Sequence, residues 1–314
     1  MKAMTDSKAV ADRVRDRAKG ALWGLMVGDC LGSPFQFGPR VRQVAGWTGA
    51  EGGKPLPMLP CEAFGCPPGF WTDDGSMALC IMDSFIRCRA LDVGDVAQTF
   101  LRWYRDGYLS SKEGRSFDVG GATASGLSKF ARTGSLRNGT ESTQGNGAVM
   151  RFAPSFFAAC ATTRSDAEAD ALMCAIGDIT HASPVVRNDI RIMAGIFRSH
   201  IMLGVRTDAH RDFLGKVPYR ELPNGGWSPA TVESACCYFH ARDSFRDSLT
   251  DAVLAGGDSD TIGAVTGQIA GSFYGYGAIP RVWIESVKDW KRVDGMIERF
   301  LDLAVGASGA AGNA

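Results

Sequence analysis

The chain has 314 residues, of which 45% are hydrophobic and 22% are charged, and its 34 basic residues balance its 34 acidic ones. These proportions are typical of a globular protein with a substantial core, and the balanced charge gives no basic footprint for a nucleic-acid partner. No run of eighteen apolar residues occurs, and the first twenty residues are too charged for a secretory signal. We therefore expect a cytoplasmic protein with reduced cysteines and no membrane span.

Apolar residues recur at helical spacing along nearly the whole chain. The apolar stripes include Ala18, Leu22, Leu25 and Met26; Met77, Ile81, Phe85 and Cys88; and Val96, Phe100, Trp103 and Tyr104. Helix starts are predicted at Ser165, at Ser183-Pro184 and at Ser228-Pro229, where a capping residue comes first and a proline often follows it. Alternating runs of β-branched residues, which would indicate strands, are absent. The pattern predicts an all-α fold.

Glycine and proline mark two long segments without helical periodicity, residues 38–71 and 215–228. Long irregular segments inside compact domains are often functional. No linker divides the chain cleanly, so we expect residues 1–305 to form a single domain. Residues 306–314 are all small, which predicts a disordered tail.

The segment Thr72-Asp73-Asp74 directly precedes the predicted helix that contains Met77. Adjacent carboxylates repel each other, so one of them would normally resist ionisation. The N-terminus of a helix eases that repulsion through its dipole and free N–H groups, and a bound metal ion eases it further. Taken alone, this segment is explained more simply by helix capping through Thr72 or Asp73.

A second acidic segment, Asp258-Ser259-Asp260-Thr261, precedes a predicted helix that is rich in small residues. The spacing puts two carboxylates and a hydroxyl within one turn, and the small residues predict tight packing against other helices. Taken alone, this segment is explained equally well by an N-cap before a buried helix and by a functional site. Together, the two segments offer four carboxylates and two threonine oxygens, which are hard ligands suited to Mg²⁺ or Mn²⁺. Four negative charges match two divalent ions, as in two-metal hydrolytic sites.

Six ordered motifs make the chain resemble the ADP-ribosylglycohydrolase family, which includes the dinitrogenase-reductase-activating glycohydrolases. One motif alone would be weak evidence, but six in order, spread through most of the chain, are specific. The motifs are GLMVGDCLG at 24–32, WTDD at 71–74, FDVGGAT at 117–123, GNGAVMR at 145–151, THASP at 180–184 and GDSDT at 257–261.

The resemblance implies a compact multi-helix bundle with a central, metal-containing cleft, and two Mg²⁺ or Mn²⁺ ions as cofactors. It also implies hydrolysis that removes ADP-ribose from a modified protein, for which we expect Asp74 or Asp73 to be the catalytic base. The implied metal ligands are Thr72, Asp73, Asp74, Asp258, Asp260 and Thr261. The implied substrate-binding residues are Gly120 and Gly121 at the diphosphate, Asn146, Gly147 and Met150 beside the distal ribose, and His181 near the ribose or phosphates. Without the resemblance, His181 would be a helix C-cap or core histidine, and Asn146 a turn residue.

Two positions depart from the family pattern. Members often have threonine or serine after the paired aspartates, where this chain has Gly75, which predicts weaker support around the metals. Several members have a glutamate shortly after the first motif, where the nearest candidate here is Gln36, and an amide cannot act as a base. This departure favours arginine-linked over serine-linked or polymeric substrates. Asp29, in the turn of the first motif, is expected to orient a helix rather than to react.

Several functions remain open from the sequence. The favoured function is hydrolysis of the N-glycosidic bond at the distal ribose of an ADP-ribosylated protein, with ADP-ribose as product, by a monomer. The alternatives are an O-linked ADP-ribosyl hydrolase and a non-catalytic protein that binds ADP-ribose or a toxin, for example an immunity protein. A metal-dependent phosphohydrolase that cleaves the diphosphate is a further class. The retention of all four carboxylates favours an enzyme.

Overall fold

The computed structural model describes residues 2–45, 47, 53–207 and 221–306, with the backbone alone for residues 2–7. Twelve α-helices lie within these residues. In chain order they are α1 (Lys2–Gly32), α2 (Asp73–Cys88), α3 (Val93–Asp106), α4 (Gly121–Thr133), α5 (Phe152–Thr162), α6 (Asp166–Asp178), α7 (Pro184–Arg198), α8 (Ser228–His240), α9 (Phe245–Val253), α10 (Ser259–Tyr274), α11 (Arg281–Ser286) and α12 (Trp290–Ala304).

The predicted all-α class is confirmed, because helix of all types makes up 66% of the described residues and no strand occurs among them. The β-type pairings found there are two isolated bridges, one between Cys61 and Cys66 and one between Gly145 and Trp227. No helix in the described ranges combines the length and the apolar character needed to cross a bilayer.

The closest helix pair of the fold is the antiparallel pairing of α1 with α10. A Cβ atom on Gly24 would lie 2.0 Å from the carbonyl oxygen of Gly267, and one on Gly267 would lie 2.0 Å from that of Gly24. The other facing pairs are Gly20 with Gly271, Gly28 with Gly263, and Gly32 with Ser259. Residues four apart share one face of a helix, so these glycines let the two backbones touch along four turns. The tight packing predicted for the small-residue helix is confirmed, and it sets the end of α1 beside the start of α10.

The other helices cover this pair with apolar side chains. The rings of Phe85 on α2 and Phe300 on α12 lie 5.3 Å apart, and those of Phe152 on α5 and Phe197 on α7 lie 5.1 Å apart in an edge-to-face contact. Aromatic pairs in such arrangements add to the stability that area burial supplies. The side chains of the predicted stripe that ends at Met26 are almost completely buried.

Helix starts agree with the predicted caps at two of three positions. Ser165 and Ser183 are N-caps, and their side chains accept hydrogen bonds from N–H groups in the first turn. Ser228 is not a cap, because α8 begins at Ser228 itself and Trp227 takes the capping position. The Ser228 hydroxyl donates instead to Asp189 Oδ2 on α7, at 2.6 Å. This tertiary contact, which local sequence does not encode, explains the difference.

The buried Asp189 makes the stability of the protein depend on pH. Burial raises its pKa to about 6, and the pKa of nearby Glu233 is raised to about 7 by burial and by the Asp189 charge. A raised carboxyl pKa means that stability falls as pH rises from the unfolded-state pKa through the folded-state pKa. An asparagine at this position would keep an acceptor for the Ser228 hydroxyl without the charge. We expect Asp189→Asn to stabilise the protein more at pH 8 than at pH 5, by about 1–2 kcal/mol.

Urea unfolding of the wild type and of Asp189→Asn at both pH values measures this difference directly. Equal differences in free energy of unfolding at pH 5 and pH 8 would contradict the assignment of a raised Asp189 pKa.

The segments predicted to be irregular contain no α-helix where the structure describes them. Within 38–71 the described residues form one short 3₁₀ turn, Glu62–Phe64, and the Cys61–Cys66 bridge. Residues 221–227 lead irregularly into α8, while 215–220 lie outside the described residues. The predicted tail, 306–314, also lies outside them except for Gly306.

Candidate active site

A cavity of about 420 Å³ lies where the N-terminal ends of α2, α4 and α10 come together. Residues from five of the six sequence motifs line it, and Asp29 of the first motif contacts the start of α2 behind Asp73. Of the predicted site residues, only Thr72 and Asp74 do not line it, and both are buried next to Asp73. The lining residues are Gln36, Phe37, Asp73, Asp118, Val119, Gly120, Gly121, Ala122, Thr123, Gly145, Asn146, Gly147, Met150, His181, Gly226, Asp258, Asp260 and Thr261.

The start of α2 is held by Asp29, which lies inside α1 rather than in the predicted turn. The family resemblance implied a turn, but the glycines of that motif serve close helix packing instead. The Asp29 carboxylate accepts from the backbone N–H groups of Thr72 at 3.0 Å and Gly75 at 2.8 Å. A Cβ atom on Gly75 would lie 3.0 Å from Asp29 and 2.9 Å from Trp71. Glycine at position 75 therefore suits this close contact, and Asp29 orients the helix as expected.

Asp73 and Asp74 occupy different environments although they are adjacent. Asp73 lies at the cavity wall, whereas Asp74 is fully buried behind Thr261, whose hydroxyl donates to Asp74 Oδ1 at 3.4 Å. Thr72 caps the helix by accepting from the Asp74 N–H group, also at 3.4 Å. The pKa values of both aspartates are raised well above the ordinary value, mainly by burial and then by neighbouring carboxylates. Capping and a functional role are thus compatible at this segment.

Asp258 holds the capping position of α10, but its side chain makes no capping hydrogen bond. Its Oδ2 accepts instead from Asn146 Nδ2, at 2.6 Å, and the same Asn146 nitrogen lies 3.0 Å from the Thr231 hydroxyl. The Asp258 N–H group donates to the carbonyl of Asn224 at 2.7 Å. These contacts turn the carboxylate into the cavity, which simple helix capping does not explain.

The carboxylates of this site have unmet bonding capacity. Asp74 Oδ2 and Asp260 Oδ1 are buried and have no hydrogen-bond partner. Burial and the neighbouring Asp258, Asp74 and Asp118 charges raise the pKa of Asp260 well above the ordinary value. In the described ranges, no three acidic, histidine or cysteine side chains are gathered tightly enough to form a ready coordination sphere. A cation would compensate both the orphaned oxygen atoms and the mutual repulsion, so the donor set fits hard divalent ions.

At the start of α4 the cavity wall is formed by backbone atoms, because the residues there are glycines. Gly120 is the N-cap and Gly121 the first residue of this helix. A Cβ atom on Gly121 would meet nothing within 4 Å, and one on Gly120 would meet only Thr123 Oγ1 at 3.9 Å. Protein packing therefore does not require glycine here, and the space gained opens toward the cavity. The first amides of a helix lack internal acceptors, so this end can receive an anion.

His181 is a neutral hydrogen-bonding group at the cavity wall. Its pKa is lowered to about 3 by burial and by the charge of Arg151. Its Nδ1 lies 2.7 Å from the Thr180 hydroxyl, which accepts from Arg151 Nη2, also at 2.7 Å. Since a guanidinium only donates, the Thr180 hydroxyl accepts from Arg151 and has its own proton free for Nδ1, an arrangement that favours the tautomer with the His181 proton on Nε2. His181 can thus donate from Nε2.

The sequence model of the ADP-ribosylglycohydrolase family matches residues 11–309. The chain belongs to this family. Its members are glycosidases that act on ADP-ribosylated proteins, and they generally depend on divalent metals. The family assignment agrees with the six motifs and with the cavity that brings them together.

Individual relatives of this glycohydrolase match over nearly its full length. It is 32% identical to the ADP-ribosylarginine hydrolase Tri1 of Serratia proteamaculans, across 92% of this chain and 80% of that protein. It is 30% identical to the ADP-ribosyl-[dinitrogen reductase] glycohydrolase of Rhodospirillum rubrum, across 94% and 98% of the two chains. A solved structure described as an ADP-ribosylglycohydrolase-related protein complex superposes with a TM-score of 0.76 at 28% identity, covering 93% and 99%.

Asp118 is a cavity residue of this glycohydrolase for which the sequence predicted no role. It lines the cavity, and Gln36 Nε2 donates to its Oδ2 at 3.0 Å. Burial raises its pKa, and its backbone has a positive φ of 56°. Gln36, the nearest candidate for the glutamate expected after the first motif, is thus a hydrogen-bond donor to a carboxylate of the cavity wall. The sequence signal that could have identified Asp118 is its position two residues before the glycine pair of the third motif.

Arg151 was quoted in a motif but also received no predicted role. Its guanidinium is buried, donates to the carbonyl of Gly147 and lies 4.8 Å from the centre of the Phe100 ring. Burial lowers its pKa to about 10, while the charges of Asp73 and Asp74 oppose that shift. Arg151 is therefore a fixed positive charge behind the acidic wall, and it donates to the Thr180 hydroxyl that faces His181 Nδ1.

We expect Thr180→Val to weaken binding of ADP-ribose by about tenfold, because it removes the hydroxyl that holds His181 in its donating tautomer. Thr180→Ser keeps the hydroxyl and is expected to bind as the wild type does. Isothermal titration calorimetry with ADP-ribose, alongside thermal unfolding of each variant, checks both. Wild-type affinity in a folded Thr180→Val protein would show that binding does not depend on the hydrogen bond between Thr180 and His181.

Proposed function

We propose that this glycohydrolase hydrolyses the N-glycosidic bond that joins ADP-ribose to an arginine side chain of a modified protein. The observation that carries the proposal is one cavity that combines Asp73, Asp258 and Asp260 with the open glycine start of α4 and with His181. The carboxylates suit cations and ribose hydroxyl groups, while the helix start suits a diphosphate. Two relatives are named for arginine-linked or dinitrogen reductase-linked ADP-ribose, which supports the same chemistry.

The proposed position of the substrate in the cavity follows the family resemblance. In this proposal the diphosphate lies at the amides of Gly120 and Gly121, and the distal ribose at the wall made by Asn146, Gly147 and Met150, all of which line the cavity. A Cβ atom on Gly147 would lie 2.6 Å from the His181 ring, so a side chain there would displace the imidazole. The glycine at position 147 therefore keeps both the ribose wall and the His181 donor in place.

Thr72, Asp73, Asp74, Asp258, Asp260 and Thr261 would hold two divalent ions, Mg²⁺ or Mn²⁺. When bound, such ions polarise the oxygen atoms of a ligand and lower the pKa of a water molecule. The protein prepares these ligands with hydrogen bonds, from Asn146 to Asp258 and from Thr261 to Asp74.

Asp73 is placed better than Asp74 to accept the proton of the attacking water. Asp73 lines the cavity, whereas Asp74 is enclosed beneath Thr261. Asp118 is a second carboxylate on the same wall. Water adds to the anomeric carbon, the bond to the guanidine nitrogen breaks, and the departing guanidine takes a proton. In this proposal Asp74 shapes the charge of the site and Asp73, or Asp118, moves the proton.

The arginine linkage is favoured by the charge of the lining residues. Four aspartates line the cavity; the proposed ions offset the charges of Asp73, Asp258 and Asp260, which leaves the charge of Asp118, and no lysine or arginine is among the lining residues described. A guanidinium leaving group is therefore attracted more strongly than the neutral hydroxyl of a serine. Asp118, held by Gln36, is not among the proposed metal ligands and stays available to that cation.

The test is to incubate the protein with arginine-linked and serine-linked ADP-ribosyl proteins, each with Mg²⁺, Mn²⁺ or a chelator. We expect release from the arginine-linked protein with a metal ion and none with the chelator. Release only from the serine-linked protein would overturn the linkage. Binding of ADP-ribose without release from either substrate would favour a non-catalytic role.

A further inference from the structure

Phe37 is the one phenylalanine whose ring is largely exposed among those in the described ranges. Its side chain is 71% exposed, and it lines the cavity next to Gln36. A single exposed aromatic ring is common on protein surfaces. Its position at the mouth of an acidic cavity, rather than its exposure alone, indicates a functional contact.

The backbone at Phe37 is in an unfavourable conformation. Its φ is 63°, in the left-handed region that bulky side chains rarely adopt. The conformation is stabilised by a hydrogen bond from the Phe37 N–H group to the carbonyl of Gly257 at 2.6 Å. Glycine or asparagine would adopt this backbone with less strain. The ring is largely outside the core, so core packing does not explain the phenylalanine.

Neighbouring rings hold Phe37 in place. Its centroid lies 6.2 Å from that of Phe64 in a T-shaped contact, and Phe64 lies 5.4 Å from Phe117. Lys112 fixes this row further by donating from its ammonium to the carbonyl of Phe64. The ring at the cavity mouth is thus a positioned aromatic surface, and most of it faces solvent.

We propose that the Phe37 ring binds the guanidinium of the target arginine and selects arginine-linked substrates. An aromatic face attracts a cation, and a planar guanidinium stacks on it. The Asp118 carboxylate, which is bonded to the adjacent Gln36, adds negative charge beside the ring. This inference rests on the proposed hydrolysis of arginine-linked ADP-ribose, because free ADP-ribose carries no guanidinium; its adenine is the one other group that could stack on the ring, and the test separates the two.

The test compares Phe37→Leu, which removes the π face, with Phe37→Tyr, which keeps it, both loaded with Mg²⁺. Both variants place a bulky side chain on the same backbone conformation, so the presence of the aromatic ring is what differs between them. We expect Phe37→Leu to lower kcat/KM for an arginine-linked ADP-ribosyl peptide about tenfold, mainly through a higher KM. Phe37→Tyr is expected to stay within about twofold of the wild type, and the Kd of free ADP-ribose is expected to be unchanged in both.

Two results would overturn the proposal. One is an unchanged KM for the arginine-linked peptide in Phe37→Leu. The other is an equal loss of affinity for free ADP-ribose in that variant, which would show that the ring contacts the ADP-ribose rather than the arginine. If the wild type releases nothing from any substrate, the proposed hydrolysis fails separately. In that case the Kd of the arginine-linked peptide, compared between the wild type and Phe37→Leu, decides the role of the ring.

Discussion

Replacing Gly267 by alanine is expected to destabilise the protein by at least about 3 kcal/mol. The new Cβ atom would lie 2.0 Å from the carbonyl oxygen of Gly24, and that oxygen belongs to a helix backbone that cannot rotate away. Relief requires α1 and α10 to separate along their whole contact. Urea and thermal unfolding measure the loss.

Gly195 offers a matched control for that substitution. It lies inside α7, it is exposed, and a Cβ atom there would meet nothing within 4 Å. Gly195→Ala is therefore expected to stabilise the helix by about 0.5–1 kcal/mol, since alanine has the higher helix propensity. A Gly267→Ala protein within about 1 kcal/mol of the wild type would show that the glycine contact is not what sets the spacing of α1 and α10.

Replacing Asp74 or Asp258 by asparagine is expected to lower kcat/KM for arginine-linked ADP-ribose by at least about 100-fold. Each carboxylate supplies charge to the proposed two-metal site, and an amide of the same shape does not. Asp83→Asn is the control, because Asp83 lies on the same helix as Asp74 but pairs with Arg87 away from the cavity. Activity of Asp83→Asn is expected to equal that of the wild type.

A stability measurement separates metal binding from catalysis in these variants. Without metal, the buried Asp74 has a raised pKa through burial and neighbouring carboxylates, so its ionised form opposes folding. At pH 8, metal-free Asp74→Asn is therefore expected to be more stable than the metal-free wild type. Adding Mg²⁺ or Mn²⁺ should raise the Tm of the wild type more than that of Asp74→Asn. Equal metal-induced shifts would contradict a ligand role for Asp74.

Local patterns were sufficient to predict the fold class and the acidic residues of the cavity, whereas the other predicted cavity residues came from the family resemblance. Helical periodicity predicted the all-α fold, because the apolar stripes are long and few residues interrupt them. The two aspartate pairs, which begin at Asp73 and at Asp258, were evident because each stands at a recognisable helix start. Their convergence in one cavity required the α1–α10 contact, whose close glycine pairs are separated by more than 200 residues in the chain.

Residues whose partners lie far away in sequence could not be predicted. Asp29 was expected in a turn because the family resemblance implied one, yet Gly28 and Gly32 on either side of it lie in α1 and pack against α10. Asp118 acquired a role only through its hydrogen bond with Gln36, across 82 positions of the chain. Thr180 likewise matters because Arg151 reaches it from the start of α5. Local sequence carries the chemical identity of such groups but not their partners.

The central claim is that the cavity cleaves the bond between ADP-ribose and arginine. It is tested most directly by determining the mass of the small molecule that the Mg²⁺-loaded protein releases from an arginine-ADP-ribosylated protein. The account predicts intact ADP-ribose, together with unmodified arginine on the protein. Release of AMP, with ribose phosphate left on the arginine, would contradict it, because the diphosphate rather than the glycosidic bond would then have been cleaved.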